Sequence, residues 1–255
     1  GIDLASFVIS AGLLFALRPA PAPEDAGRPS LRAIGQGFQY AFSRQELVGT
    51  YIVDIAAMFF AMPMTLYPFV ADDLGAEWGL GLLYAATSIG AVLVSLTSGW
   101  TGRVHRHGLA VLLAAAVWGL AIVGFGFASH IGVALLFLVI AGGADMVSGI
   151  FRQTIWNQTI PDRLRGRLAG IELLSFSIGP TLGQMRAGGM AAWIGLRGAI
   201  VAGGLLCVGS TGLLTGALPR FVRYDDRTSP HGRQTEPRVE ESEDAQDAAA
   251  GTGKA

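Results

Sequence analysis

The sequence predicts an all-α polytopic membrane protein, on three observations: a scarcity of charge, apolar runs long enough to cross a bilayer, and connections whose charge alternates along the chain. Of 255 residues, 15% are charged and 51% hydrophobic, 36 are glycine, and the mean hydropathy is +0.48. A soluble domain carries about 25% charged residues to coat its surface. The shortfall is uneven. From Arg220 onward there are 8 acids and 6 bases, which leaves 11 acids and 12 bases for the first 219 residues. That long segment lacks the polar surface of a soluble enzyme or a disordered chain. It also lacks the basic excess of a nucleic-acid binder, so no nucleic-acid partner is expected.

A membrane-crossing helix needs about 20 mainly apolar residues. The runs fall at residues 3–17, 48–70, 80–100, 109–128, 132–157, 168–190 and 196–218, the first of them cut short. Arg18, Arg28, Arg32 and Arg44 lie between the first two runs, and the next connection holds Asp72, Asp73 and Glu77 without a base. Arg103 and Arg106 follow, then an uncharged turn at Ser129, then Arg163, Arg165 and Arg167; the tail opens with Arg220, Arg223 and Arg227. Connections rich in Lys and Arg stay on the inner side. The expected placement is therefore multi-pass in the cell membrane with the carboxyl tail cytoplasmic. Arg186 and Arg197, near helix ends, are the bases left on the outer side.

This gives four regions: a truncated transmembrane helix over 1–17, a cytoplasmic linker over 18–47, a six-helix transmembrane bundle over 48–218, and a disordered cytoplasmic tail over 219–255. The chain starts at Gly1 inside an apolar run that has no basic n-region and no cleavage pattern, so it reads as a fragment whose front is missing rather than as a signal peptide. Within the linker, the Pro-rich 18–29 is extended. Ser30 can cap a short helix over 31–47 with Leu31, Ile34, Phe38 and Phe42 at helical spacing, either a spacer or a helix lying on the membrane surface. The tail over 231–255 has no aromatic residue and cannot bury enough apolar area to fold. Cys207 is the one cysteine, so neither a disulfide nor a cysteine-based metal site can form within one chain.

Ionisable side chains inside a membrane cost at least a few kcal/mol each and turn to the bundle interior or a wet cavity. Asp54 lies on the second run, Asp145 and Arg152 on the fifth, Glu172 and Arg186 on the sixth. The fourth run is uncharged, as is the seventh between Arg197 and Arg220, and such helices can face lipid. Helical spacing gathers Glu172, Ser175, Gly179, Gly183 and Arg186 into one stripe, as it does Thr50, Asp54, Ala61 and Thr65, then Tyr84, Ser88, Ala91, Ser95 and Ser98, then Asp145, Ser148 and Arg152. Asp145 and Arg152 are about 10.5 Å apart along the axis, beyond i, i+4 reach, so each is expected to find a partner elsewhere. Glu172 is a candidate partner for Arg152, as a structural ion pair clamping two helices or as a gate or coupling element. Asp54 and Asp145 are the candidates for proton coupling or substrate contact, since a carboxylate in a low-dielectric site can load and release a proton near neutral pH. Static hydrogen bonding is the competing role.

Close helix packing is expected at Gly179-x3-Gly183, Ala199-x3-Gly203 and Gly212-x3-Gly216. Pro63 and Pro68 interrupt the second run and Pro180 the sixth, which can hinge a helix or open backbone beside a cavity. Met58, Phe59, Phe60, Met62 and Met64 form an adaptable cluster beside Asp54. Met58, Thr65, Ser88 and Ser148 are the candidate substrate-lining residues. His105 and His107 are too close and too exposed to hold zinc alone, and no phosphate loop, H-E-x-x-H or nucleophile elbow occurs. Neither an enzyme nor a metal or other cofactor is expected. An intramembrane enzyme would need Asp54 and Asp145 to meet as a catalytic pair.

The stretches DIAAMFFAMPMTLYPFVA at 54–71 and GGADMVSGIFRQTIWNQTIPDRLRGRLAGIELLS at 142–175 resemble the enterobactin-exporter-like branch of the major facilitator superfamily. The resemblance covers about residues 1–220 and implies a major facilitator-type six-helix half bundle plus the preceding helix, numbered six to twelve. It implies that helices seven and ten line a central cavity while nine and twelve stay peripheral, with the two three-helix repeats inverted. The GWTGRVHRHG loop is a remnant of the family's loop motif, with Gly102 where an acid is usual. The implied function is secondary active, proton-coupled export of a bulky small molecule such as a siderophore or drug. Its partners would be that substrate, protons, the lipid bilayer and a missing amino-terminal half. The alternative is a non-transporting membrane module, a half-length partner or regulatory subunit.

Overall fold

The computed structural model describes residues 6–8, 10–13, 35 and 39–225. Residues 6–8 and 10–13 are helical; the rest of the 1–17 helix, most of the linker helix with its Ser30 cap, and the tail beyond 225 lie outside the described residues. Helix α1 is Gln45–Phe60, entered from extended Arg44, with Glu46 in the first turn where the helix dipole favours an acid. It stops at Ala61 because Pro63 has no N–H to offer the carbonyl of Phe59. A 3₁₀ turn, Met64–Leu66, leads into α2, Tyr67–Asp73, which accepts Pro68 in its first turn, where no N–H is needed. Gly75 closes α2 at φ +60°, donating to Asp72 O at 2.8 Å while Ala76 donates to Ala71 O at 2.8 Å, the paired bonds of a Schellman end.

Four long helices follow: α3, Leu80–Leu96; α4, His107–Phe127; α5, Ile131–Thr159; and α6, Asp162–Ile194. A 3₁₀ segment, Ser98–Arg103, joins α3 to α4. Only Ile160 and Pro161 join α5 to α6, so the arginine-rich stretch expected as a connection starts a helix instead. Proline fixes its own φ near the helical value and suits that entry. Pro180, expected to interrupt this helix, sits inside it without ending it. Gly195, at φ +77°, turns the chain into α7, Leu196–Ala217, and a one-turn α8, Pro219–Val222, ends the described chain. Five spans among the described residues are long and apolar enough to cross a membrane: α1 with α2, α3 with its preceding turn, α4, α5 and α7.

The core sits around α4, which packs on α1, α5 and α7; α3 lies on α5, and α6 bridges α1 and α7. Glycines set the closest approaches, since a missing Cβ lets backbones touch. A Cβ on Gly142 would strike the Thr87 carbonyl, one on Gly90 the Val139 carbonyl, and one on Gly204 would lie 2.6 Å from Gly119 O. Of the expected small-residue pairs, Gly183 abuts Met58 and Phe59 and Gly203 abuts Phe60, but Gly212 and Gly216 meet nothing within 4 Å.

Three further expectations are corrected. Uncharged α4 is not a peripheral, lipid-only helix: more of it is buried than of any other of the five spans, and only Leu113, Val117, Leu120 and Phe127 form an outward stripe. A helix that is apolar all round serves the core as well as it serves lipid. The linker's end is bundle rather than linker, since Leu47 is fully buried in α1 and Tyr40 donates to Thr159 O at 2.8 Å. Residues 219–225, expected in the disordered tail, are folded: Phe221 is fully buried between Gly49 and Gly108, and Tyr224 donates to Gln158 Oε1 at 3.0 Å. The Phe221 ring fills the space that Gly49 leaves open, and its backbone carbonyl the space at Gly108, which supplies the apolar burial that the remaining tail lacks.

Candidate functional site

Where α1, α4 and α5 meet, charge is enclosed in apolar surroundings. Asp54 stands on the third turn of α1 and Arg152 on the second half of α5; each is 5% exposed, and Arg152 Nη1 forms an ion pair with Asp54 Oδ1. Arg152 Nη2 lies 3.8 Å from Asp145 Oδ1, whose side chain is 44% exposed. Arg152 thus finds its close partner on another helix, as the spacing predicts, while Asp145 lies at the edge of ion-pair distance. Side chains on a helix lean toward its N-terminus, and the long arginine reaches back over two turns. Glu172, half-buried on α6, interacts electrostatically with Arg152 and Asp54. Arg152 pairs closely with Asp54, a partner that the sequence does not single out, while the candidate partner Glu172 lies within its electrostatic reach. Asp54 and Asp145 flank one guanidinium, from two different helices.

Beside this cluster is a cavity of about 10 Å³, lined among others by Asp54, Met58, Trp118, Asp145 and Ser148. That is the scale of a single water. Met58 and Ser148, expected to line a substrate path, are buried here. Trp118 was not foreseen. It comes from α4, is buried, and its indole N–H has no hydrogen-bond partner among the described residues. The available signal was that Trp118 carries the one polar side-chain atom in the run 109–128. Toward the 44–50 end of α1 the same helix pair is pinned by Trp156 Nε1, which donates to Thr50 Oγ1 at 2.7 Å, and by the stacking of Tyr51 on Trp156 at 5.2 Å.

The other predicted residues lie apart from this cavity. Thr65 is exposed and donates to Gln184 Oε1 at 3.1 Å; Ser88 is exposed on α3. Arg186 caps the broken end of α1, donating from Nε to Phe59 O at 2.8 Å and from Nη2 to Phe60 O at 2.5 Å. Those carbonyls lose their helical partners at Ala61–Pro63, and a cation at a helix C-terminus suits the dipole. Arg197, given no role from sequence, ties the opposite end together: it pairs with Asp73 at 2.6 Å and donates to the carbonyls of Gly126 and Ala128. No cluster of metal-ligating side chains occurs among the described residues.

The profile of the Major Facilitator Superfamily matches residues 47–246. The chain is similar to the enterobactin exporter EntS of Escherichia coli (strain K12), 27% identical over 244 residues, which cover 95% of this chain and 57% of that protein. It is equally similar to the enterobactin exporter EntS of Shigella dysenteriae serotype 1, with the same identity and coverage. The chain thus spans little more than half the length of these relatives. No solved structure matches it. Apolar helices and family match together describe a multi-pass membrane protein.

Proposed function

Because this chain belongs to the Major Facilitator Superfamily, we propose that it is the carboxyl-terminal half of a secondary active transporter that exports a bulky small molecule, a siderophore or a drug, in exchange for protons. A second six-helix half would complete the pathway, with substrate bound at the midplane between halves that rock about it. The carboxyl tail would lie in the cytoplasm, on the side of the arginine-bearing ends. The relatives' names, enterobactin exporters, support a siderophore as the first substrate to try.

The observation that carries the reading is the single guanidinium of Arg152 held between Asp54 and Asp145. A guanidinium does not give up its proton, so proton exchange falls to the carboxyls. When Asp145, the more exposed of the two, takes a proton, Arg152 belongs to Asp54 alone; when Asp145 loses it, the arginine is shared again. Since Asp54 is on α1 and both other groups are on α5, each protonation changes the force between two helices. Trp118 and Ser148 offer an N–H and a hydroxyl to a water beside the pair. Glu172 adds a third carboxyl within electrostatic reach, and Arg186 fixes the break in α1 around which its outer part can turn.

The test is efflux in everted vesicles from cells producing the complete transporter, with enterobactin and then ethidium as probes. Asp54→Asn and Asp145→Asn are expected to abolish pH-gradient-driven movement at unchanged membrane abundance, while Ser88→Ala leaves it intact. Undiminished efflux in both aspartate variants defeats the coupling claim.

A further inference from the structure

A groove of about 570 Å³ opens between α3, α4 and α5, with walls that include Gly90, Val117, Gly143 and Phe151 and are almost entirely apolar. Its volume is that of a small-molecule site, yet it offers no polar group to orient a substrate. Its length and its mouth identify a different occupant. Val117 lies ten residues into α4, about 15 Å from its start at 1.5 Å per residue. That is half of a hydrocarbon core about 30 Å thick, the depth of one leaflet. At the other end the groove is bordered by Trp100 and Val104, next to the start of α4.

The mouth is basic. Arg103 ends the 3₁₀ segment Ser98–Arg103, three residues after Trp100 and next to Val104, both of which line the groove. Arg106 lies two residues beyond Val104, at the entry to α4. Both arginines are exposed, and neither pairs with an acid among the described residues. No Asp or Glu occurs between Glu77 and Asp145. This end is also the one that the arginine distribution turns inward, where anionic lipids concentrate.

We propose that the groove is a binding site for an anionic phospholipid of the inner leaflet, one acyl chain lying along Val117 and Gly143 and the phosphate held by Arg103 and Arg106. Neither the substrate path nor proton coupling enters into it. Native mass spectrometry of the protein, purified from membranes in mild detergent and titrated with phosphatidylglycerol or phosphatidylcholine, tests it. Wild type is expected to retain one phosphatidylglycerol with roughly 30-fold preference, the magnitude that two interfacial arginines supply. Arg103→Gln/Arg106→Gln, which alters only exposed side chains, is expected to bring the two lipids to parity, and Val117→Trp, which fills the groove, to lower retention of both. The proposal is overturned by parity in wild type, by a preference that survives loss of both arginines, or by full retention in Val117→Trp. Retention of neither lipid by wild type also overturns it and leaves the groove to another part of the protein.

Discussion

Arg152 is buried, and the two aspartates beside it do not contribute equally. Asp54 is buried with the arginine, whereas Asp145 is half open and 3.8 Å away. Removing one partner of a buried pair generally costs about 3–5 kcal/mol, because the other charge is left uncompensated. Arg152→Met strips the counter-charge from both acids at once and should reach that range. Asp54→Asn leaves Arg152 with Asp145 and should cost less. Asp54→Leu/Arg152→Met, which removes the enclosed pair together, should recover most of the loss. Thermal unfolding in detergent ranks the three; equal damage from Asp54→Asn and Arg152→Met would mean that Asp145 does not share the arginine. These charges were legible from sequence because an ionised group in an apolar run stands out. Their pairing was not, because spacing along an axis ignores a side chain that can run back along it for two turns.

At the scale of helices, two devices hold the bundle: a broken α1 whose exposed carbonyls are capped by Arg186, and glycine contacts that bring backbones together. The break was visible in Pro63, since a residue without an N–H cannot continue a helix. The decisive glycines were less visible. Gly142 faces Thr87 and Gly90 faces Val139 across two helices, and no short motif within either helix encodes a crossing. Gly212-x3-Gly216 has the motif and touches nothing, so spacing marks what is permitted rather than what is used. Gly142→Ala must push α3 and α5 apart and should cost about 1–3 kcal/mol or more, the usual penalty for overpacking. Gly212→Ala meets open space in a helix interior and should be neutral or stabilise by roughly 0.5–1 kcal/mol. Melting temperatures in one detergent compare them, and a matching loss in both would remove the close-approach argument. Folding of 219–225 was likewise hidden, because the notches that receive Phe221 belong to α1 and α4, far away in sequence.

For the whole molecule, the helix with no charge forms the core and the helices with charge enclose their ions against it. Sequence could separate charged from uncharged helices but not lipid-facing from buried ones, since hydrocarbon and protein interior select the same side chains. Trp118 shows the consequence: it sits in the most apolar run of the chain and borders the polar cavity. Asp54 and Arg152 are enclosed where α1, α4 and α5 meet, with Asp145 at the partly open edge; under the proposed function, a proton gained or lost there would alter contact between helices that a rocking bundle has to move. The most direct measurement of that claim is proton movement itself. Complete transporter in sealed liposomes containing a pH-sensitive dye, given an outward enterobactin gradient and no imposed pH difference, should move protons opposite to the siderophore, and Asp54→Asn should abolish the dye signal. Siderophore movement by wild type with no accompanying proton movement would contradict the account.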